Sequence, residues 1–503
     1  MHRKKMNSTQ KFLHSFIAIF LLVAVPAVAQ QKLTLEECRT MALEQNKKVK
    51  IAQEDVKAAT YTKKAAGTHY LPKLSLSGGY LRTNKDIKPL NDDLFLPIVP
   101  YNTIDPTTGK FNSDALQDPQ TALNTIVMNP ETGQPVLDAS GNPVFKNYAM
   151  LPADQLKFDN NNYYYARLSV NQPLFTGLKI TESNKMAQYA ENISREQVVL
   201  TQAEVLTQTD EAYWRVVSLQ EKVKLAHSYR DLLNRLVTDL ENMYSEGIIT
   251  KNDLLKAQVK QNDANLQVLK AENGLELSKM ALAQIIGLNY ESVDITENII
   301  EAAAISTVDL STRYSADNRA EVNMLKEKVN IMQANKNIER SKFMPTILLT
   351  GGYGFMNPNP YNGLRNEFGG DWSVGVVVSM PVFTWGERKH NMNIASVKKH
   401  QAQYELEEAR ELIDLQIHQN RFKHIESLKK VEMTKLSKDQ AEENMRVAED
   451  NLAEGRTRLS ELLEAQVQWS DAYSEYIDAM VEVKTTQSEL EKATGQIYEQ
   501  LKN

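Results

Sequence analysis

Few side chains in this 503-residue sequence fall at spacings that do chemistry. Its eight histidines are scattered, and His418 and His424, six residues apart, do not share one helix face as a metal pair would. There is no glycine-rich phosphate loop and no G-x-S-x-G elbow, so nucleotide chemistry and serine hydrolysis lack a framework. Carboxylates abound, but on long helices a run of charge is ordinarily a solvated face. Neither a catalytic set nor a cofactor or metal site is expected, and any energy for work must come from a partner.

Composition narrows the class. Charged residues make up 24% and mean hydropathy is negative, which excludes a bundle of membrane-spanning helices. One apolar run stands out: His2-Arg-Lys-Lys5 and Lys11 precede Phe12–Val25, which ends in Ala27-Val-Ala29. A basic start, a short apolar middle and an A-x-A site predict a cleaved signal peptide over residues 1–29. The run falls short of the ~20 apolar residues that span a bilayer. Residues 1–29 carry four Lys/Arg and no acids, so a net charge of −6 becomes −10, which disfavours nucleic acid as a partner. Cys38 is the only cysteine, so no internal disulfide exists. It reads as a small packing residue, with a reactive thiol as the alternative.

The spacing that does stand out belongs to two glycine turns. Tyr244–Gln258, YSEGIITKNDLLKAQ, overlays Leu452–Gln466, LAEGRTRLSELLEAQ, and 455 − 247, 461 − 253 and 466 − 258 all equal 208. A fixed offset of this kind marks one structural unit built twice. Each turn lies between long proline-free, helix-forming runs, predicting two helical hairpins.

The first repeat is placed at 30–287. A helix over 33–66 opens it, with Thr34 and Glu37 as a capping box. Strand-period alternation follows at 73–82, where Leu74, Leu76, Gly78 and Tyr80 share a side, and again at 163–174, with Ala166, Leu168 and Val170. Between them lies an irregular loop, 84–162, holding nine of the sixteen prolines; its place on the outward side of the two strands suggests a cap or surface contact. A run from about Thr181 to Glu246, free of proline and glycine, predicts a helix ~100 Å long. Its stripe of Leu225, Tyr229, Leu232, Leu236, Leu240 and Met243 is suited to packing on another helix.

A linker at 288–318 precedes the second repeat, 319–495, and 496–503 is a tail. Strands at 346–355 and 372–380 keep the earlier phase, with Ile347, Leu349, Gly351 and Tyr353, then Val374, Val376 and Val378. Pro173-Leu-Phe-Thr-Gly177 and Pro381-Val-Phe-Thr-Trp-Gly386 feed strand into helix, the second reading as one residue longer. Four strands of ~10 residues match strands that cross a membrane in a barrel. An open four-stranded sheet leaves edge groups unsatisfied in lipid, so copies must pool strands: two give eight, three give twelve. The long helices are too polar for lipid and must extend into water as coiled coils. The alternative is an exported coiled-coil scaffold or envelope tether without a pore, which has no need of the strands.

The duplicated strand pair and hairpin, the junctions at Pro173-Leu-Phe and Pro381-Val-Phe, and the turn Ala453-Glu-Gly455 with Leu459-Ser-Glu-Leu-Leu-Glu-Ala465 resemble the TolC-like outer membrane efflux proteins over essentially the whole mature chain. The resemblance implies a mixed α+β membrane protein and a homotrimer sharing a twelve-stranded transmembrane β-barrel in outer membrane lipid. A long periplasmic α-helical barrel would continue it. It also implies an exit duct, not an enzyme, docked through a periplasmic adaptor to a proton-driven or ATP-driven inner-membrane transporter.

Acids just after the second glycine turn ring the constriction in that family. By resemblance these are Glu461 and Glu464, three apart on one helix face, beside Arg456 and Arg458, which flank Thr457 where the family has a basic residue. Six carboxylates around a narrow pore would favour cations and invite divalent block. Without the resemblance, solvated helix acids are the reading. Gly247, Asp253, Leu254, Ala257, Gly455, Leu462 and Ala465 are assigned to adaptor docking, the alternative being that they only close the hairpins. Pro173, Gly177, Pro381 and Gly386 mark the strand–helix junctions. Trp372, Tyr80, Tyr163, Tyr164, Tyr165 and Tyr353 sit where aromatic girdles do, or else fill the lumen.

Overall fold

The computed structural model describes residues 31–84, 90–156, 161–289, 293–296 and 316–502. The expected signal segment and most of the linker lie outside the described residues. In chain order the first elements are β1 (Gln31–Leu33), α1 (Leu35–Gln45), α2 (Lys47–Gly67), β2 (Lys73–Arg82), β3 (Leu94–Pro97), α3 (Pro119–Thr125), β4 (Tyr148–Leu151) and β5 (Asn162–Phe175). There follow α4 (Lys179–Ser245), α5 (Lys251–Ile286), β6 (Val293–Ile295), α6 (Ala320–Ser341), β7 (Thr346–Asn357), β8 (Gly369–Ser379), α7 (Glu387–Ala453), α8 (Leu459–Thr494) and α9 (Gln496–Lys502). They form two units. The described residues within Met1–Thr68, Leu178–Phe343 and Val382–Asn503 make a helical one; those within His69–Gly177 and Met344–Pro381 make one built on a sheet.

In the sheet unit β2, β5, β7 and β8 lie side by side in that order, every pair antiparallel. The register aligns Leu76, Leu168, Tyr353 and Trp372 in one row across the strands, and Leu74, Val170, Gly351 and Val374 in the next row on that side. The rows between, Ser75–Ser169–Gly352–Ser373 and Ser77–Arg167–Gly354–Asp371, carry the other face. One face is therefore aliphatic and aromatic, the other small and polar, because side chains alternate along each strand. The apolar face is bare: Leu76 is 76% and Val374 68% exposed. β2 and β8 are the two edges, each with one side unpaired.

Tyr80, Tyr164, Tyr353 and Trp372 stand on the apolar face toward one end, with the Tyr80 and Tyr164 rings 4.9 Å apart. Tyr163 and Tyr165 fall on the opposite face, the Tyr165 ring lying over Gly79, where a Cβ would collide at 2.7 Å. The stretch between β2 and β5 is not irregular as expected. It holds the β3–β4 ribbon, α3, and a small core around Ile126 in which the Phe111 and Phe145 rings meet edge to face at 5.2 Å.

In the helical unit, the bounds of α7 and α8 lie 208 residues after those of α4 and α5: 387 − 179, 453 − 245, 459 − 251 and 494 − 286. Both long helices have 67 residues and both partners 36. The expected single helix over 33–66 is broken at Asn46. Its extended backbone ends α1, while its side chain accepts from Lys48 N at 2.9 Å and donates to Ile285 O at 2.9 Å. Asparagine offers the backbone that local alternative to helix. Of the expected α4 stripe, Leu225, Tyr229 and Leu240 are buried and Leu236 and Met243 pack against the tip core, but between Tyr229 and Leu240 the buried positions are Leu233 and Val237, not Leu232 and Leu236. The expected tail is helical as α9, because Ile497 and Tyr498 are buried against Ala203, Leu206 and Ala320. β6, inside the expected linker, pairs in parallel with β1 and seats Val293 and Ile295 in the main core beside Cys38, Tyr213, Leu282 and Ile477.

Two buried carboxylates lock helices together. Asp210 on α4 takes two bonds of 2.7 Å from the Arg39 guanidinium on α1 and one of 2.5 Å from the Ser488 hydroxyl on α8. Glu191, also on α4, is only 3% exposed and meets Arg195 at 2.7 Å, Lys63 of α2 at 2.9 Å and Thr60 at 3.2 Å. Hydrogen bonds from Arg195, then Lys63 and Thr60, hold its carboxyl down at about 2. In the unfolded chain it titrates near ~4.3. The stability it contributes is thus fully present above that value and is lost as pH falls from there toward 2. Thermal melts between pH 6 and 3 should show the wild-type midpoint falling more steeply than that of Glu191→Gln, which starts lower at pH 6.

Candidate functional site

The two hairpin turns are built alike. Gly247 (φ 76°) and Gly455 (φ 71°) end α4 and α7 in the left-handed region, with open space where a Cβ would sit, so backbone sign and not crowding demands glycine. Ile248 N then bonds to Met243 O at 2.9 Å and Arg456 N to Asn451 O at 2.8 Å, closing the carbonyls of the last turn. α5 restarts with a cap: Thr250 accepts from Asp253 N at 3.3 Å and donates to the Asp253 carboxylate at 2.7 Å. α8 restarts after Arg458 with no side-chain cap, and its first-turn Glu461 instead takes the Thr457 hydroxyl.

Glu461 and Glu464 are exposed and line one shallow groove of about 230 Å³ with Asn444, Val447, Ala448 and Asn451 of α7. The structure brings these two acids together and leaves the two arginines elsewhere. Arg456 is exposed and pairs with Glu454 at 2.7 Å, while Arg458 faces a second, larger cleft.

That cleft, about 1010 Å³, lies between the two tips. Leu236, Met243, Ile248, Leu452 and Leu462 form apolar walls, and Arg235, Asp239, Asp253, Lys256, Glu449 and Arg458 supply charge. Burial pushes the Glu449 carboxyl up, against the opposing pull of Arg235. Gly455 and Asp253 line it, and Gly247 is exposed beside it at the first turn. Ala257, Leu462 and Ala465 are buried inside the tips, and Leu254 packs against the tip core of Tyr229, Leu233, Leu459 and Leu463. Of these four, Leu462 lines the cleft and Ala465 the groove of the two acids, each exposing little of itself. The apolar side chains that do face outward are Ile248, Leu255 and Val259, with Leu255 and Val259 bordering a groove shared with Ser460, Glu464 and Val467. Their signal was readable: Leu255 and Val259 are four apart, on the helix face opposite the buried alanines.

At the junctions, Gly177 (φ 63°) and Leu178 (φ 75°) precede α4, and Trp385 (φ 50°) and Gly386 (φ 85°) precede α7. Since 385 − 177 and 386 − 178 are both 208, no residue is added in the second junction, contrary to expectation. The same two left-handed positions recur and the glycine changes place between them. The other occupant, Leu178 or Trp385, carries the ~1–2 kcal/mol cost of a Cβ there. Pro173 stands at a β5 bulge, and Pro381 follows β8. His418 lies on the surface 3.8 Å from Asp414, whereas His424 is buried and bonded to Thr486 at 3.1 Å. No group of three metal-ligating side chains exists among the described residues.

The chain thus joins a sheet with a bare apolar face and unpaired edges to helices of 67 residues. No helix among the described residues is long and apolar enough to cross a membrane. Residues 136–288 and 314–496 match the outer membrane efflux protein family, and the chain belongs to that family of channels, not enzymes. It is 21% identical over 346 residues to outer membrane protein TolC of Vibrio cholerae, spanning 67% of this chain and 77% of that one. It is 22% identical over 345 residues to the alkaline protease secretion protein AprF of Pseudomonas aeruginosa, spanning 67% and 70%. The Campylobacter jejuni CmeC outer membrane channel superposes with a TM-score of 0.67 at 16% identity, over 94% of this chain and 90% of that one.

Proposed function

We propose that this chain is one third of an outer membrane exit duct, passively conducting cargo from an inner-membrane pump and a periplasmic adaptor to the outside. The observation that carries the reading is the sheet: apolar on one face, small and polar on the other, with both edges open. β2 and β7 run one way and β5 and β8 the other, so β8 of one copy meets β2 of the next antiparallel, and any number of copies closes without a mismatch. Two copies would give about eight strands, whose interior side chains fill. Three give twelve and leave a passage, lined by the serine and glycine rows. The 208-residue correspondence of the helical hairpins fits a duplicated unit, so that three chains supply six equivalent hairpins to a periplasmic tunnel.

The exposed pair Glu461 and Glu464 would set six carboxylates at the tunnel's periplasmic end, and the cleft between the tips, flanked by exposed Ile248, Leu255 and Val259, would receive the adaptor. Detergent-purified protein in a planar bilayer tests the reading. Wild type is expected to show a small, cation-selective conductance blocked by divalent ions, and Glu461→Ala/Glu464→Ala a larger one with block weakened at least tenfold. Unchanged block in the double variant would remove these acids from the gate. No conductance from inserted oligomer would favour the scaffold.

A further inference from the structure

The insertion between β2 and β5 carries a surface that a duct alone does not use. In the β3–β4 ribbon the register places Phe95 opposite Met150 on one face, and Leu94 opposite Leu151 and Leu96 opposite Ala149 on the other. Phe95, Leu94, Leu96 and Met150 are all exposed, so the ribbon is apolar and bare on both faces. Tyr148 ties one end of the ribbon to the Phe145 ring of the insertion's small core, 6.3 Å away, but a two-stranded ribbon is marginal in water and its exposed apolar side chains call for a further partner.

We infer that this ribbon is a clasp between neighbouring copies of this chain, an inference that rests on the multi-copy reading above. Three observations select that occupant. The insertion lies in the chain between β2, the sheet's open edge, and β5 beside it, at the end of the sheet where the next copy would dock. The next copy's β8 would arrive there with its β7–β8 loop at the same end as the insertion, because β2 and β7 run in the same direction; that loop exposes Tyr361. A head-to-tail ring puts a neighbour at every β2 edge, so each copy's ribbon has one to pack against. An anionic lipid headgroup surface is disfavoured, since residues 90–156 hold eight acids (92, 93, 105, 114, 118, 131, 138, 154) against Lys110 and Lys146, a net charge of 2 − 8 = −6.

The clasp is tested on the full chain purified in detergent, with a benzophenone amino acid at position 95 in place of Phe95. Irradiation is expected to give chain-to-chain products of dimer and trimer mass. Adducts to lipid alone, to a different protein in intact membranes, or only within the chain would overturn it. In a second arm, Phe95→Glu/Met150→Glu is expected to speed dissociation of the oligomer in dodecyl sulfate at least tenfold while its conductance in a bilayer is unchanged. An oligomer as durable as wild type would overturn the clasp. A native mass showing a single chain defeats the duct as well; an intact multimer without position-95 cross-links defeats the clasp alone.

Discussion

Arg39→Ala is expected to destabilise the helical unit by about 3–5 kcal/mol, the range found when one partner of a buried ion pair is removed. The cause is what remains. Asp210 is 0% exposed, and beyond Arg39 it retains one hydroxyl bond, from Ser488. A fully buried carboxylate would be left with most of its hydrogen bonding gone. Burial lowers and the Asp210 carboxylate raises the Arg39 pKa, with a net upward shift. Chemical denaturation of the detergent-solubilised protein reads the effect. Arg39→Met/Asp210→Leu, which removes both charges and keeps the volume, is expected to recover most of it. A single variant as stable as wild type would show that water reaches Asp210 in solution.

The second large effect separates adjacent residues on one strand. Val374→Arg, at the middle of β8 on the apolar face, is expected to abolish recovery of membrane-inserted oligomer, since an arginine facing lipid at the bilayer midplane costs about 2–4 kcal/mol per strand and each ring would carry the cost in every copy. Ser373→Arg, one residue away on the polar face where Arg167 already stands, is expected to assemble and to shift the conductance toward anions. Membrane fractionation followed by bilayer recording distinguishes them. Equal recovery of both variants would mean that the faces do not divide lipid from lumen.

The same alternation explains what the sequence makes legible. Leu74, Leu76 and Tyr80 announce a strand and its face because the period of two is local, and the register adds only which rows align. The long helices are equally readable, for glycine and proline are absent between their ends. What escapes local pattern is whatever depends on distant partners. Asn46 breaks a helix by reaching Ile285, 239 residues away, and Arg39 meets Asp210 across 171. Leu232 and Leu233 look alike as sequence; only the partner helix decides which is buried. At the tips, the gating expectation rests on the family resemblance, since residue type alone reads Glu461 and Glu464 as solvated helix acids. Burial separates Ala257, Leu462 and Ala465, which are buried, from Gly247, Gly455 and the two acids, which are exposed, the acids on a common groove.

The two unpaired edges of the sheet also bear on inheritance. A chain whose membrane strands are completed only by its neighbours does not finish folding alone, and a copy that inserts β2 correctly but carries a ruined β8 occupies a place in a ring it does not close. On the trimer proposed above, a cell making good and bad copies equally would build only about one ring in eight from good copies alone. A lesion in β8 would therefore behave as dominant, whereas a chain that never reaches the membrane would be recessive.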